Sequence, residues 1–186
     1  MRKLPAFCIV AVCGIATLVW SIGLARGAAE AARDTSVTTA VCIVHGLDDG
    51  DIVGTVTFTQ RDGFVEVAAE IKGLPTGLHG FHIHEFGDCS MADGMCAGGH
   101  FNPTNMPHGG PESARHHAGD LGNLKADQSG VARFQLKDEL ISLSGSHSII
   151  GRSIIIHEKV DDFTTQPAGD AGKRIACGVI GIAKPD

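Results

Sequence analysis

The sequence predicts an all-β domain built as an antiparallel sandwich or barrel, and three observations lead there. Short runs of β-branched and apolar residues alternate with polar ones at a period of two. Turn-forming residues punctuate those runs, with 25 Gly and 7 Pro in 186 residues. No stretch carries a convincing amphipathic helical repeat.

The elements follow in order along the chain. Residues 37–45 set Val41, Ile43 and His45 against Cys42 and Val44. Residues 54–60 (GTVTFTQ) alternate Val56 and Phe58 with Thr55, Thr57 and Thr59. After the turn signal Arg61-Asp62-Gly63, residues 64–71 (FVEVAAEI) repeat the pattern. Runs at 80–85, 130–136, 153–157 and 175–182 complete the set, and Asp127-Gln128-Ser129-Gly130 reads as a second hairpin separator. Two segments, 86–121 and 161–173, are strand-poor. Loops of that length inside a compact domain are usually functional.

Composition narrows the function classes. Hydrophobic residues make up 43% and charged residues 19% of the chain, too apolar for a disordered protein. The formal charge of −6 leaves no basic face for phosphates, so a nucleic-acid partner is not expected. Six Cys in a chain this long exclude a dense disulfide scaffold. Ten His in one small domain are the first chemical oddity.

Residues 1–29 read as a signal peptide rather than part of the fold. Arg2 and Lys3 precede an apolar run at 6–24, and the small residues Ala25, Gly27, Ala28 and Ala29 follow. The run is long enough to span a bilayer, so an uncleaved anchor is the alternative, and only then is a membrane partner expected. Residues 30–36 form a short polar linker, and 37–186 the domain. Cleavage leaves 12 basic and 21 acidic residues, a net charge of −9, and removes Trp20, the sole Trp. Four Cys remain: Cys42, Cys89, Cys96 and Cys177. An exported chain, periplasmic or extracellular, makes a disulfide among them reasonable.

The histidines form a spaced set. His82 and His84 stand two apart on a predicted strand, so both project from one face. Imidazole is the commonest protein metal ligand, and one ion can bridge such a pair. The following segment adds His100, His108, His117 and Asp120, and a later strand ends in His157. His117 and Asp120 are close enough in sequence to converge on one ion. Imidazole suits copper and zinc, and three His with one Asp suit tetrahedral zinc.

At these residues the chain resembles the copper/zinc superoxide dismutases. The resemblance rests on GFHIHEFGD (80–88), GGHFNP (98–103), HGGP (108–111) and HAGDLGN (117–123). It continues through ISLSG (141–145), IIGR (149–152), HEKVDD (157–162) and RIACGVIGIA (174–183), in the family's order from about Val41 to the C-terminus. It implies a Greek-key barrel of about eight strands with two long functional loops. It also implies copper on His82, His84, His100 and His157, and zinc on His100, His108, His117 and Asp120, one of each ion per subunit. His100 would be shared. Asp161 would be the carboxylate linking ligands of the two metals, and Arg174 the arginine at the copper mouth, so that Arg174 and His100 are the catalytic pair. Cys177 would form one half of a disulfide whose other half is Cys89 in preference to Cys96.

The activity implied is conversion of superoxide to dioxygen and hydrogen peroxide by alternating reduction and oxidation of histidine-bound copper. With a net charge of −9, capture of an anion needs a local positive patch, for which Arg174, Lys173 and Lys159 are candidates. The segment 161–173 is shorter than the guiding loop of the common cytosolic form and lacks its Glu pair and Lys. A homodimer through Phe86, Gly87, 149–151 and 179–182 is the expected assembly, ordinary core and loop positions being the plainer reading. His79 is expected to be structural, His116 exposed and Cys42 a buried strand residue. A metal-delivering module, a cupin-like enzyme and a copper-only variant are the competing readings. The complete ligand set and Arg174 favour the enzyme over all three.

Overall fold

The computed structural model describes residues 37–184, so the expected signal peptide and the linker lie outside the described residues. Among the described residues no helix is long and apolar enough to cross a membrane. The strands are β1 (Thr39–Gly46), β2 (Val53–Arg61), β3 (Phe64–Lys72), β4 (Gly77–His84), β5 (Asp120–Ala126), β6 (Ala132–Asp138), β7 (Ser153–His157) and β8 (Arg174–Ile182). They close an antiparallel barrel in the order β1-β2-β3-β6-β5-β4-β7-β8. The jumps from β3 to β4 and from β6 to β7 give the Greek-key path.

The period-two pattern decides what each strand buries. In β2 and β3, Val56 pairs with Ala69 and Phe58 with Val67, all facing the core. The hairpin between them turns at Asp62-Gly63, with Gly63 at φ 84°, the left-handed region that suits glycine. Phe58, Phe81, Ile71, Ile83, Leu124, Ile154, Ile156 and Ile180 are fully buried. Each contributes roughly 1.5–3 kcal/mol of transfer free energy. Phe81 packs edge-on to Phe134, ring centroids 5.2 Å apart.

Two strands are buried on both faces. In β4, Phe81 and Ile83 enter the barrel core while His82 and His84 face outward, yet all four are buried. In β7, Ile154 and Ile156 enter the core, and Ile155 packs outside against Ala97 and Cys177. The cover is supplied by the long segments 85–119 and 158–173. The first folds back on the end of β4: Phe101 N–H donates to Ile83 O at 2.8 Å and Glu85 N–H to Gly99 O at 2.9 Å. It is pinned to β8 by the Cys89–Cys177 disulfide, which spans 88 positions of sequence. Cys96 is free.

Two sequence expectations are corrected, and one about β1 holds. β5 is a strand that the alternation did not reveal: it opens with a buried Asp and contains Gly122 and Asn123, weak strand formers. In β1 the core set is Ala40, Cys42 and Val44, so Cys42 is the buried strand residue expected, while Ile43 and His45 face solvent. His116 is buried, not exposed, its ring Nδ1 within 2.8 Å of the His117 carbonyl.

Candidate metal centre

The register brings the spaced histidines together. β4 presents His82 and His84 on its outer face, and the returning segment lays His100 beside His84 as an isolated bridge. β7 pairs along β4 with Ile155 opposite His82, which carries His157, two residues on, to the same face. Asp120 opens β5 directly opposite His82. The outcome is two groups. His82, His84, His100 and His157 each offer a ring nitrogen, and these lie within 4.8 Å of one another; so do atoms of His100, His108, His117 and Asp120. Every sequence-predicted ligand is in one of these groups.

His100 belongs to both. Its Nδ1 is 2.7 Å from Asp120 Oδ1 and 3.5 Å from His117 Nδ1. Its Nε2 is buried without any hydrogen-bond partner. The ring lies 4.0 Å from that of His82, centroid to centroid, and 5.0 Å from that of His84. One imidazole therefore stands between the two groups and turns a different nitrogen to each.

Hydrogen bonds around the groups fix the tautomers. His82 Nε2–H donates to Asp161 Oδ2 at 2.7 Å and His108 Nε2–H donates to Asp161 Oδ1 at 2.9 Å. His84 Nδ1–H donates to Gly98 O at 3.0 Å and His157 Nδ1–H to Gly172 O at 3.3 Å. In each ring, when it is neutral, the other nitrogen carries the lone pair. Those nitrogens (His82 Nδ1, His84 Nε2, His108 Nδ1 and His157 Nε2), with His100 Nε2, are the buried side-chain polar atoms left unpaired among the described residues. A buried polar atom without a partner costs about 1–3 kcal/mol. Five converging orphans are what a bound cation would satisfy, so the residues present fit copper and zinc.

Electrostatics agree with neutral imidazoles in the first group. Burial holds His82 and, more strongly, His84 below the ordinary histidine range. It lowers His157 to about 3 and His100 to about 4, the latter against the pull of Asp120. His108 goes the other way: burial opposes its charge, but Asp120 and Asp161 outweigh that and raise it to about 9. Asp120, although buried, is held far below the usual carboxylate range by His100, His108 and His117. Its Oδ2 accepts from Gly109 N–H at 3.1 Å and His117 N–H at 2.8 Å, which leaves Oδ1 turned to the three imidazoles.

A family model described as copper/zinc superoxide dismutase matches residues 52–180. The chain belongs to the copper/zinc superoxide dismutase family. It is 50% identical over 150 residues to superoxide dismutase (Cu-Zn) A of Xenopus laevis, covering 77% of this chain and 97% of that one. Extracellular superoxide dismutases of Caenorhabditis elegans and Brugia pahangi are 44% and 40% identical. The matches cover 72% and 80% of this chain, and 63% and 78% of those proteins. The crystal structure of the clock protein EA4 superposes with a TM-score of 0.74 at 45% identity, covering 80% of this chain and 97% of that one.

Arg174, at the start of β8, donates to Gly94 O and Gly98 O, both at 2.6 Å. It thus shares the Gly98 carbonyl with His84. His79 is structural as expected: it is buried, with Pro75 O at 2.8 Å and His157 O at 2.9 Å from its two ring nitrogens. Asn123 escaped sequence reasoning: its amide pairs in both directions with the main chain of Asp161, at 2.8 and 3.0 Å. Gln166 escaped it too. They lie 38 and 58 positions from the residues they hold, Asp161 and His108, and such separations carry no local signal.

Proposed function

We propose that His82, His84, His100 and His157 hold copper, that His100, His108, His117 and Asp120 hold zinc, and that the centre disproportionates superoxide. The observation that carries this reading is His100, one ring with a nitrogen turned to each group. Bound copper supplies one-electron exchange in both directions, and bound zinc a fixed positive charge that does not change oxidation state. The chain's own part is to orient the rings, to exclude bulk water from them, and to manage charge and protons. His100 Nε2 is the atom at which a proton can be held and released. Asp161 and the Gly98 and Gly172 carbonyls keep the other rings from turning.

Arg174 acts on the substrate. Its charge sits beside His84 and His157, and its bonds to Gly94 O and Gly98 O hold it in place. In an acidic protein this fixed cation, with its sequence neighbour Lys173 and with Lys159, gives a small anion a local attractive field. The deciding experiment is metal analysis of the purified protein together with superoxide disproportionation. One copper and one zinc per chain are expected, with activity lost on chelation and regained with copper. A copper- and zinc-loaded sample that leaves superoxide untouched overturns the reading.

Export to a periplasmic or extracellular space is supported by the Cys89–Cys177 disulfide and by the N-terminal sequence pattern. Sequencing the N-terminus of the secreted protein tests it, with cleavage after Gly27 or Ala29 expected. A homodimer is supported by Phe86, Val179 and Ile182, which are 53%, 45% and 61% exposed. A monomeric mass in solution at micromolar concentration overturns it.

A further inference from the structure

Gln166 lies in the segment between β7 and β8, far in sequence from His108. Its side-chain amide nevertheless pairs with the His108 main chain in both directions. His108 N–H donates to Oε1 at 2.8 Å, and Nε2–H donates to His108 O at 2.9 Å. The second Nε2 hydrogen goes to Thr164 O at 3.3 Å. No other hydrogen-bond partner serves the main-chain N–H or C=O of His108 among the described residues. Buried peptide groups are rarely left without partners.

The same segment holds the other end of the residue, since Asp161 Oδ1 accepts from the His108 ring. Gly169, at φ 67°, lets the chain pass close to that bond: a Cβ there would lie 2.8 Å from His108 Nε2. His108 is therefore gripped at its peptide and at its ring by one loop, and its free Nδ1 is left facing Asp120 Oδ1 at 3.1 Å.

We propose that Gln166 is a positioning residue for the zinc site. It fixes the peptide plane of His108, and with it the direction in which the ring delivers Nδ1. Ligand distances tolerate only about 0.2 Å of error, so a ligand needs its backbone held as well as its ring. Partners behind a metal ligand typically carry about 10–100-fold in metal affinity. The proposal rests on the assignment of His108 to zinc.

The test compares full-length variants loaded with both metals. Zinc affinity is read by competition with a chromophoric chelator, and ligand geometry from the visible spectrum of cobalt(II) placed in the zinc position. Gln166→Ala is expected to weaken zinc by about 10–100-fold, shift the cobalt spectrum and leave copper affinity unchanged. Gln166→Glu keeps the acceptor for His108 N–H and loses the donor. It is expected to weaken zinc less, and it keeps the test readable should the alanine variant not fold. Asp162→Ala removes the bonds to Thr164 and Thr165 within the same loop without touching His108. It is expected to leave zinc in place. Unchanged zinc in both Gln166 variants overturns the proposal, and so does equal loss in Asp162→Ala, which would mean general loosening. His117→Ala separates the two levels. Zinc retained there would sink the zinc assignment itself, whereas zinc lost there but kept in the Gln166 variants sinks this inference alone.

Discussion

Replacing Asp161 by Leu should weaken both metals at once. Asp161 is in neither ligand group, but its two oxygens take the Nε2–H of His82 and of His108. Its side chain is fully buried, and its main chain is held by Asn123, so an isosteric apolar residue keeps its place. In Asp161→Leu each ring loses one hydrogen bond to a charged group, worth about 1.5–3 kcal/mol. At about 1.4 kcal/mol per decade, that is roughly a 10–100-fold loss for each metal. The loss arises because neither ring is then held to the tautomer that leaves Nδ1 free. Copper and zinc affinities are read separately by chelator competition, and folding by urea denaturation. Asp120→Ala is the comparator and should weaken zinc far more than copper. Two unchanged affinities in Asp161→Leu would refute the claim that tautomer locking shapes this centre. Loss of copper with zinc untouched would refute it for His108.

Three further outcomes are expected. Cys177→Ser opens a loop of 88 positions and should cost roughly 4–5 kcal/mol in urea unfolding on the loop-entropy account; a loss below about 1 kcal/mol contradicts it. Arg174→Glu should lower the second-order rate by about 10-fold or more at low salt and flatten its salt dependence at normal metal content; unaltered kinetics would place the steering elsewhere. Burial pushes the Cys42 thiol up from 9.0 to about 12, against a weaker pull from its hydrogen bond with Ile154. Above pH 9 the unfolded chain then sheds a proton that the folded chain keeps. In a Cys96→Ser background, stability should fall by about 1.4 kcal/mol per pH unit between 9 and 12. Cys42→Ala should abolish that slope, and a slope that persists assigns it to other groups.

The barrel was legible where a strand is apolar on one side only. β2 and β3 alternate cleanly because one face meets the core and the other meets water. β5 was illegible because its burial is unlike its composition: Asp120 is fully buried against three imidazoles, and the half-buried Asn123 braces Asp161. Polar residues at inward positions read as turn, and only the tertiary partners reverse that reading. His116 misled for the same reason. A histidine that merely neighbours the candidate ligand His117 reads as exposed, and only the folded segment covers it.

The ligands and the groups that steer them differ in legibility on physical grounds. Ligands must converge, and short-range geometry offers few ways to do so. Two rings two apart on a strand, or a ring and a carboxylate three apart at a turn, leave a visible spacing. The steering groups need only reach one ring nitrogen or one peptide, and any part of the chain that passes nearby can serve. Here they are the carbonyls of Gly98 and Gly172, the carboxylate of Asp161 and the amide of Gln166. Two of the four are main-chain atoms, which carry no residue signature. Yet the first three decide which nitrogen a ring presents, and a ring locked in the opposite tautomer would bring a proton to the metal where a lone pair is needed. The chemistry of the centre is thus written in its histidines, while its protonation pattern depends on the paths of two loops, which is why the spacing alone could locate the metals but not the groups that aim their ligands.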